Sequence, residues 1–245
     1  MSSQIFQTLE RNAGVWPQMA QSRWVPAYHK AAAEASVMAA GWFPPMAKSE
    51  SFWLSSYNPS ATRVPLRSLE PYYVPAEDAW TTVLQGQKVA VVSSFADTIA
   101  QQLEKRDQIW PHTHQYYLPS SATFYPIKTH YAPVLAQGNQ ETHWPSPIES
   151  WSDAVQYIVK QVVESGASIA LLGCGGLAMP IAYALKQHNI SSVVMGGSIQ
   201  VLFGIKGKRW ETHSVISKFW NPHWINPAPH EIPGSAHQIE GGCYW

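Results

Sequence analysis

Three glycines, Gly173, Gly175 and Gly176, stand where the apolar run "SIALLG" gives way to "LAMPIAYALKQHN". Glycines at such a point let a ligand phosphate reach backbone N–H groups, and a helix starting there adds a field that favours an anion. The same residues also make an ordinary tight turn, and the turn alone does not separate the two readings. Gly196 and Gly197 form a second turn after "SSVVM". "FGIKGKRW" follows, placing Lys206, Lys208 and Arg209 beside two more glycines. Lysine and arginine neutralise a diphosphate that backbone amides alone hold weakly; a solvated basic loop is the plainer alternative. Ser93 and Ser94 close a third apolar run, "QKVAVVSS".

Other motifs narrow the chemistry. Ala178 stands where a dinucleotide G-x-G-x-x-G turn has its third glycine, and the next strand ends "VVMGG" without an acid for ribose hydroxyls. NAD is therefore not expected. Neither the Walker pattern nor a G-x-S-x-G elbow occurs. Glu240, in the terminal "IEGGCYW", is a candidate general base or ribose ligand, against the alternative of a packed tail. His112 and His114 lie two apart in "WPHTHQ". On a strand they would share a face and could bind a metal, but surface histidines are the commoner outcome. Cys174 and Cys243 are too few for a disulfide scaffold or a four-cysteine zinc site, which fits reduced thiols and a cytoplasmic protein.

These residues need a scaffold, and the hydrophobic pattern supplies one. "KVAVVSS", "SIALLG" and "SSVVMGG" are short, β-branched and unalternating, as strands buried on both faces are, and we expect them side by side and parallel. A helix capped by Ser93 or Ser94 is expected over "FADTIAQQLEKRDQIW". A second is expected over "SPIESWSDAVQYIVKQVVES" with Pro147 near its start, and a third over "LAMPIAYALKQHN". "YYLPSSATFYPIK" reads as extended. "PAYHKAAAEASVMAAGW" is alanine-rich and reads as a helix starting after Pro26. Strands alternating with helices give an α/β fold with a Rossmann-like parallel sheet flanked by helices. The expected organisation is one domain over 1–245. Residues 1–80 form a helical and irregular part, 86–200 the Rossmann-like core, and 203–245 a Pro-, Trp- and His-rich segment lying across the carboxyl ends of the strands.

Composition sets outer limits. The chain has 245 residues, 45% hydrophobic and 13% charged, with zero formal net charge. That is globular and argues against nucleic acid as a partner. No apolar stretch reaches membrane-spanning length, and no secretory signal is visible. The aromatic-rich segments allow a homo-oligomer.

"IALLGCGGLAMPIAYALK", "VVMGGSIQVLFGIKGKRW", "NPHWINP" and "IEGGCYW", with weaker echoes in "NAGVWP", "VPLRSLEPYY" and "GQKVAVVSSFADTI", resemble a mostly bacterial family related to the GT-D type of glycosyltransferase fold. The likeness runs in order along nearly the whole chain. It implies a Rossmann-like domain that binds a nucleotide-activated sugar, with manganese or magnesium if the sugar is transferred to an acceptor hydroxyl. Ser93, Ser94, Gly173, Gly175, Gly176, Gly196 and Gly197 would line the cleft. Lys206, Lys208 and Arg209 would face the diphosphate. The Arg-x-Gly-Asp-x-Glu segment of GT-D enzymes, whose acids serve the metal and the sugar diphosphate, does not occur in this sequence. A binding or assembly protein that keeps the fold without transferring sugar is the alternative.

Overall fold

The computed structural model describes residues 3–41 and 43–245. Its centre is a four-stranded parallel sheet of β3 (Lys88–Ser93), β4 (Thr123–Lys128), β5 (Ile169–Gly173) and β6 (Ser191–Val194), in the spatial order β4-β3-β5-β6. The register pairs Ser93 with Lys128 on one side and with Gly173 on the other. The three strands expected from their β-branched runs are thus neighbours in one sheet.

Alternation along the strands feeds two cores. Val89, Val91 and Leu171 face one side; Ala90, Val92, Ala170 and Leu172 face the other. The first side is covered by α4 (Ala96–Leu103) and α5 (Arg106–Ile109) and, further along the chain, by α10 (Ser198–Leu202), through Ile99, Ile109, Ile199 and Leu202. The second is covered by α8 (Trp151–Glu164) and α9 (Ala178–Lys186), through Ala154, Ile158, Val162, Ile181 and Leu185. Burying both faces removes the alternation of polar and apolar residues that a one-faced sheet would show. Short helices α6 (His114–Tyr117) and α7 (Pro133–Ala136) flank β4.

The N-terminal part holds α1 (Ser3–Ala13), α2 (Gln21–Ala33), α3 (Ala47–Tyr57) and a separate two-stranded parallel sheet, β1 (Val37–Ala39) with β2 (Thr62–Val64). This corrects the expectation of one helix after Pro26. The helix begins five residues earlier, runs through Pro26, and gives way to β1. Tertiary anchors hold the turn before the proline: Gln21 Nε2 donates to the Phe6 and Val15 carbonyls, and Trp24 Nε1 donates to the Gly176 carbonyl. Trp42, in the same expected helix, lies outside the described residues.

Three further boundaries differ. The helix expected over 95–110 breaks at Glu104–Lys105 into α4 and α5. Helix α8 starts after Ser150, whose side chain accepts from the Asp153 amide, rather than at Pro147. His112 lies in a turn at φ 67° and His114 opens α6, so the two do not share a strand face. From Phe203 onward the chain is turns, short 3-10 helices and one isolated parallel bridge between Ile205 and Ile225.

Candidate ligand cleft at the strand ends

In a parallel sheet the chain leaves β3 for β4 on one side, while β5 and β6 lie on the other. Ligands bind at the crevice this reversal opens, outside the carboxyl ends of the strands. A cavity of about 200 Å³ occupies that place between the ends of β3 and β5. Ser93, Ser94, Gly173, Gly175, Gly196 and Gly197 line it together. Each stands just at or beyond the end of β3, β5 or β6, so strand register alone brings three distant segments to one point.

The remaining candidates fall elsewhere. Gly176 does not line the cavity; a Cβ there would sit 2.9 Å from the Ala13 carbonyl, so the residue is glycine because the end of α1 packs on it. Lys206 lies over the Trp220 ring, and Lys208 is exposed. Arg209 stacks on Tyr244, 4.9 Å from the ring centroid, and lines a neighbouring groove with Glu240, Arg67 and His213. Its guanidinium nevertheless lies against Gly197, 3.7 Å from where a Cβ would be. Glu240 sits at φ 45° and accepts from the Cys243 thiol at 3.1 Å. It faces the groove and not the cavity.

The helix expected to be capped by Ser93 or Ser94 is capped otherwise. Phe95 holds the cap position and makes no side-chain cap bond. Ser93 Oγ accepts from the Phe95 amide. The first amides of α4 donate to Glu231, 134 residues away: Asp97 N to Oε1 at 2.8 Å, and Thr98 N to both oxygens. The Thr98 hydroxyl also donates to Glu231. This carboxylate is fully buried and fills the anion position that a helix N-terminus offers. The N-terminus of α4 is therefore already occupied by an anion of the chain itself.

The cavity also contains residues that no motif announced. Arg11 lines it from the end of α1, with its Nε on Asn12 Oδ1 and no salt bridge among the described residues. Among the described residues no Asp or Glu lines the cavity. Thr129 and His130 follow β4 directly, and Gln200 lies in α10; Thr129 Oγ1, His130 Nδ1 and Gln200 Oε1 are buried without a hydrogen-bond partner. Burial, with the neighbouring Lys128 charge, pushes the His130 pKa down to about 4 against the pull of the Glu141 backbone, so the ring is neutral at pH 7. Burial pushes the Cys174 thiol up to about 12, which makes it a poor nucleophile. Tyr131, Tyr244 and Trp245 complete the wall. Tyr131 OH donates to Ser94 Oγ at 2.9 Å, and the Trp245 indole donates to Tyr131 OH. The one sequence signal for this set was position: Thr129 and His130 follow a strand end.

Among the described residues one group could hold a metal ion: Asp97, His230 and Glu231, with ligand atoms within 4.8 Å of one another. As arranged, three of its carboxylate oxygens are already engaged. Asp97 Oδ2 accepts from Lys128 Nζ at 3.0 Å and contacts His230 Nε2 at 2.9 Å, while both Glu231 oxygens serve α4. Burial raises the Asp97 pKa, but the hydrogen bonds from His230 and Lys128 outweigh it and the net shift is downward. Lysine already supplies the positive charge there, so the donor set does not fit a divalent ion without displacing Lys128.

Comparison of the chain with protein-family models, curated proteins and solved structures gives no match. No described helix is long and apolar enough to cross a membrane.

Proposed function

We propose that this protein binds a nucleotide-activated sugar, or the nucleoside diphosphate part of one, in the cavity at the ends of β3 and β5. One observation carries the reading. The cavity joins the two glycine turns to a cation, Arg11, with no Asp or Glu among its described lining residues, at the place where parallel sheets take ligands. The turn at Gly175 leads through a single 3-10 turn into α9, whose field adds to the attraction for an anion. Arg209, beside Gly197, is the second cation within reach.

The same composition favours binding over transfer. A departing diphosphate needs a metal or several cations to take up its developing charge. The acids that could hold a metal are engaged with Lys128 and α4. Glu240 faces the adjoining groove, where it could serve an acceptor but not the diphosphate. We therefore put a nucleotide-sugar binder of glycosyltransferase-like fold ahead of an active transferase.

Calorimetric titration of the full chain with UDP and with pyrophosphate tests this. Arg11→Gln should weaken both by about tenfold or more, since a charge-assisted hydrogen bond contributes about 1.5–3 kcal/mol. Equal affinities in parent and variant, or no heat with either probe, would refute the reading.

A further inference from the structure

The groove beside the cavity has a volume of about 670 Å³, inside the ~300–1,000 Å³ span of small-molecule sites. It opens at the carboxyl ends of the small sheet, where Ala40 follows β1 and Leu66 lies just beyond β2. Arg209, His213 and Glu240 line it from the C-terminal part of the chain. The backbone singles out Glu240. Residues 240–242 all have positive φ, and the second and third are glycines, which adopt that conformation without strain. Position 240, at φ 45°, carries a glutamate instead, so strain is borne to keep a carboxylate there. Among the described residues that carboxylate makes no salt bridge, and its hydrogen bond comes from the Cys243 thiol, a weak donor. Burial and then Glu240 push the thiol pKa up to about 11, while Arg209 pulls it the other way. Two opposite charges thus bear on one residue without bridging each other. Arg209 is held by its stacking on Tyr244 and makes no salt bridge among the described residues. His213 Nδ1 accepts from the Val215 and Ile216 amides, which puts the ring proton on Nε2 as a donor. The other two charges of the groove, Arg67 and Glu70, are spent on each other at 2.7 Å.

We propose that the groove binds a zwitterion of amino-acid chemistry, a free α-amino acid or a short peptide. Its carboxylate lies at Arg209 and the His213 Nε2–H, and its ammonium at Glu240. An anion alone would leave Glu240 without a counter-charge, and a cation alone would leave Arg209 without one; a ligand carrying both answers both. Leu66 and Ile216, in the same lining, offer apolar surface to a side chain. The inference stands apart from the diphosphate reading of the cavity and uses none of the residues that carry it.

The experiment titrates the full chain by calorimetry with leucine, with the dipeptide Ala-Leu, and with Ala-Leu blocked as its N-acetyl or its C-terminal amide form. Blocking either end should lower affinity by about tenfold or more, since each block removes a charge-assisted hydrogen bond. Glu240→Gln should weaken the free dipeptide by a similar factor. Glu240→Gly should weaken it as much and melt no earlier than the parent, because glycine relieves the backbone at this position. Arg11→Gln, which acts on the cavity, should bind the dipeptide as the parent does. Binding of leucine assigns the groove to free amino acids, and binding of Ala-Leu without leucine assigns it to peptides. The proposal is overturned if neither binds, if the blocked forms bind as tightly as the free dipeptide, or if Glu240→Gln binds like the parent. It is also overturned if Arg11→Gln costs as much as Glu240→Gln, which would put the dipeptide in the cavity. An earlier melt for Glu240→Gly would overturn it too, by making the glutamate a structural part of the chain end.

Discussion

At the scale of single residues, the cavity is decided by where charge is absent as much as by where it sits. Arg11 contributes a cation, and His130 is held neutral by burial and by the nearby Lys128 charge. That neutrality has a stability signature. The folded-state pKa of about 4 lies below the ordinary histidine value of 6.5, so between these pH values the unfolded chain binds the extra proton. Stability from this group is present above pH 6.5 and is lost as pH falls towards about 4. The difference in unfolding free energy between the parent and His130→Phe, followed by urea denaturation from pH 7.5 to 4, should therefore shift against the parent on acidification. A difference that stays constant would mean that His130 is hydrated and titrates normally. Glu231 shows the opposite strategy: a buried carboxylate kept for its bonds to α4. That use also withdraws the α4 N-terminus from ligand binding.

At the scale of elements, close backbone approach decides which glycines matter. Gly173 brings β5 against the β6 turn; a Cβ there would meet the Gly196 carbonyl at 2.9 Å. Gly176 plays the same part for α1, whose end carries Arg11 to the cavity. Gly176→Ala should push α1 off the β5 turn. Overpacking of this kind costs about 1–3 kcal/mol. For a chain of this size that is a fall in melting temperature of roughly 2–4 °C per kcal/mol. The same variant should weaken pyrophosphate binding, because Arg11 moves with α1. Full retention of both melting temperature and affinity would show that Arg11 reaches the cavity independently of that packing.

At the scale of the whole molecule, the last seven residues close the site that the sheet opens. Ile239, Tyr244 and Trp245 line the cavity. The strap is held by Gln200 Nε2 on the Tyr244 carbonyl and by the Arg209 amide on the Cys243 carbonyl. Three consecutive residues, Glu240, Gly241 and Gly242, have positive φ, so the strap turns in a way most side chains resist. A chain truncated after Gln238 should keep the sheet, melt earlier and bind UDP at least about tenfold more weakly, as lost walls and one freed side-chain bond imply. Unchanged affinity in the truncated chain would make the strap a passenger.

The order of strands and helices was written locally. "KVAVVSS", "SIALLG" and "SSVVMGG" read as buried parallel strands because burial on both faces leaves β-branched runs without alternation, a property of neighbours in sequence. Turn glycines and strand-end serines could be placed near the cleft for the same reason, since a parallel sheet puts every strand end of one kind on one edge. What local pattern does not contain is contact between distant segments. Nothing near Asp97 says that Glu231 will cap its helix. Nothing in "PAYHKAAAEASVMAAGW" says that Val37–Ala39 will find Thr62–Val64 as a partner and leave the helix. Arg11, Thr129, His130 and Gln200 belong to no motif, and only the packing of α1, β4 and α10 around one strand end makes them neighbours. Arg209 was expected beside the diphosphate and Glu240 as a general base or ribose ligand, and the tertiary structure places both in the wall of the adjoining groove. Propensity and periodicity act over a few residues, whereas a site is a set of distances across the whole chain, and those distances are set when the two faces of the sheet are buried.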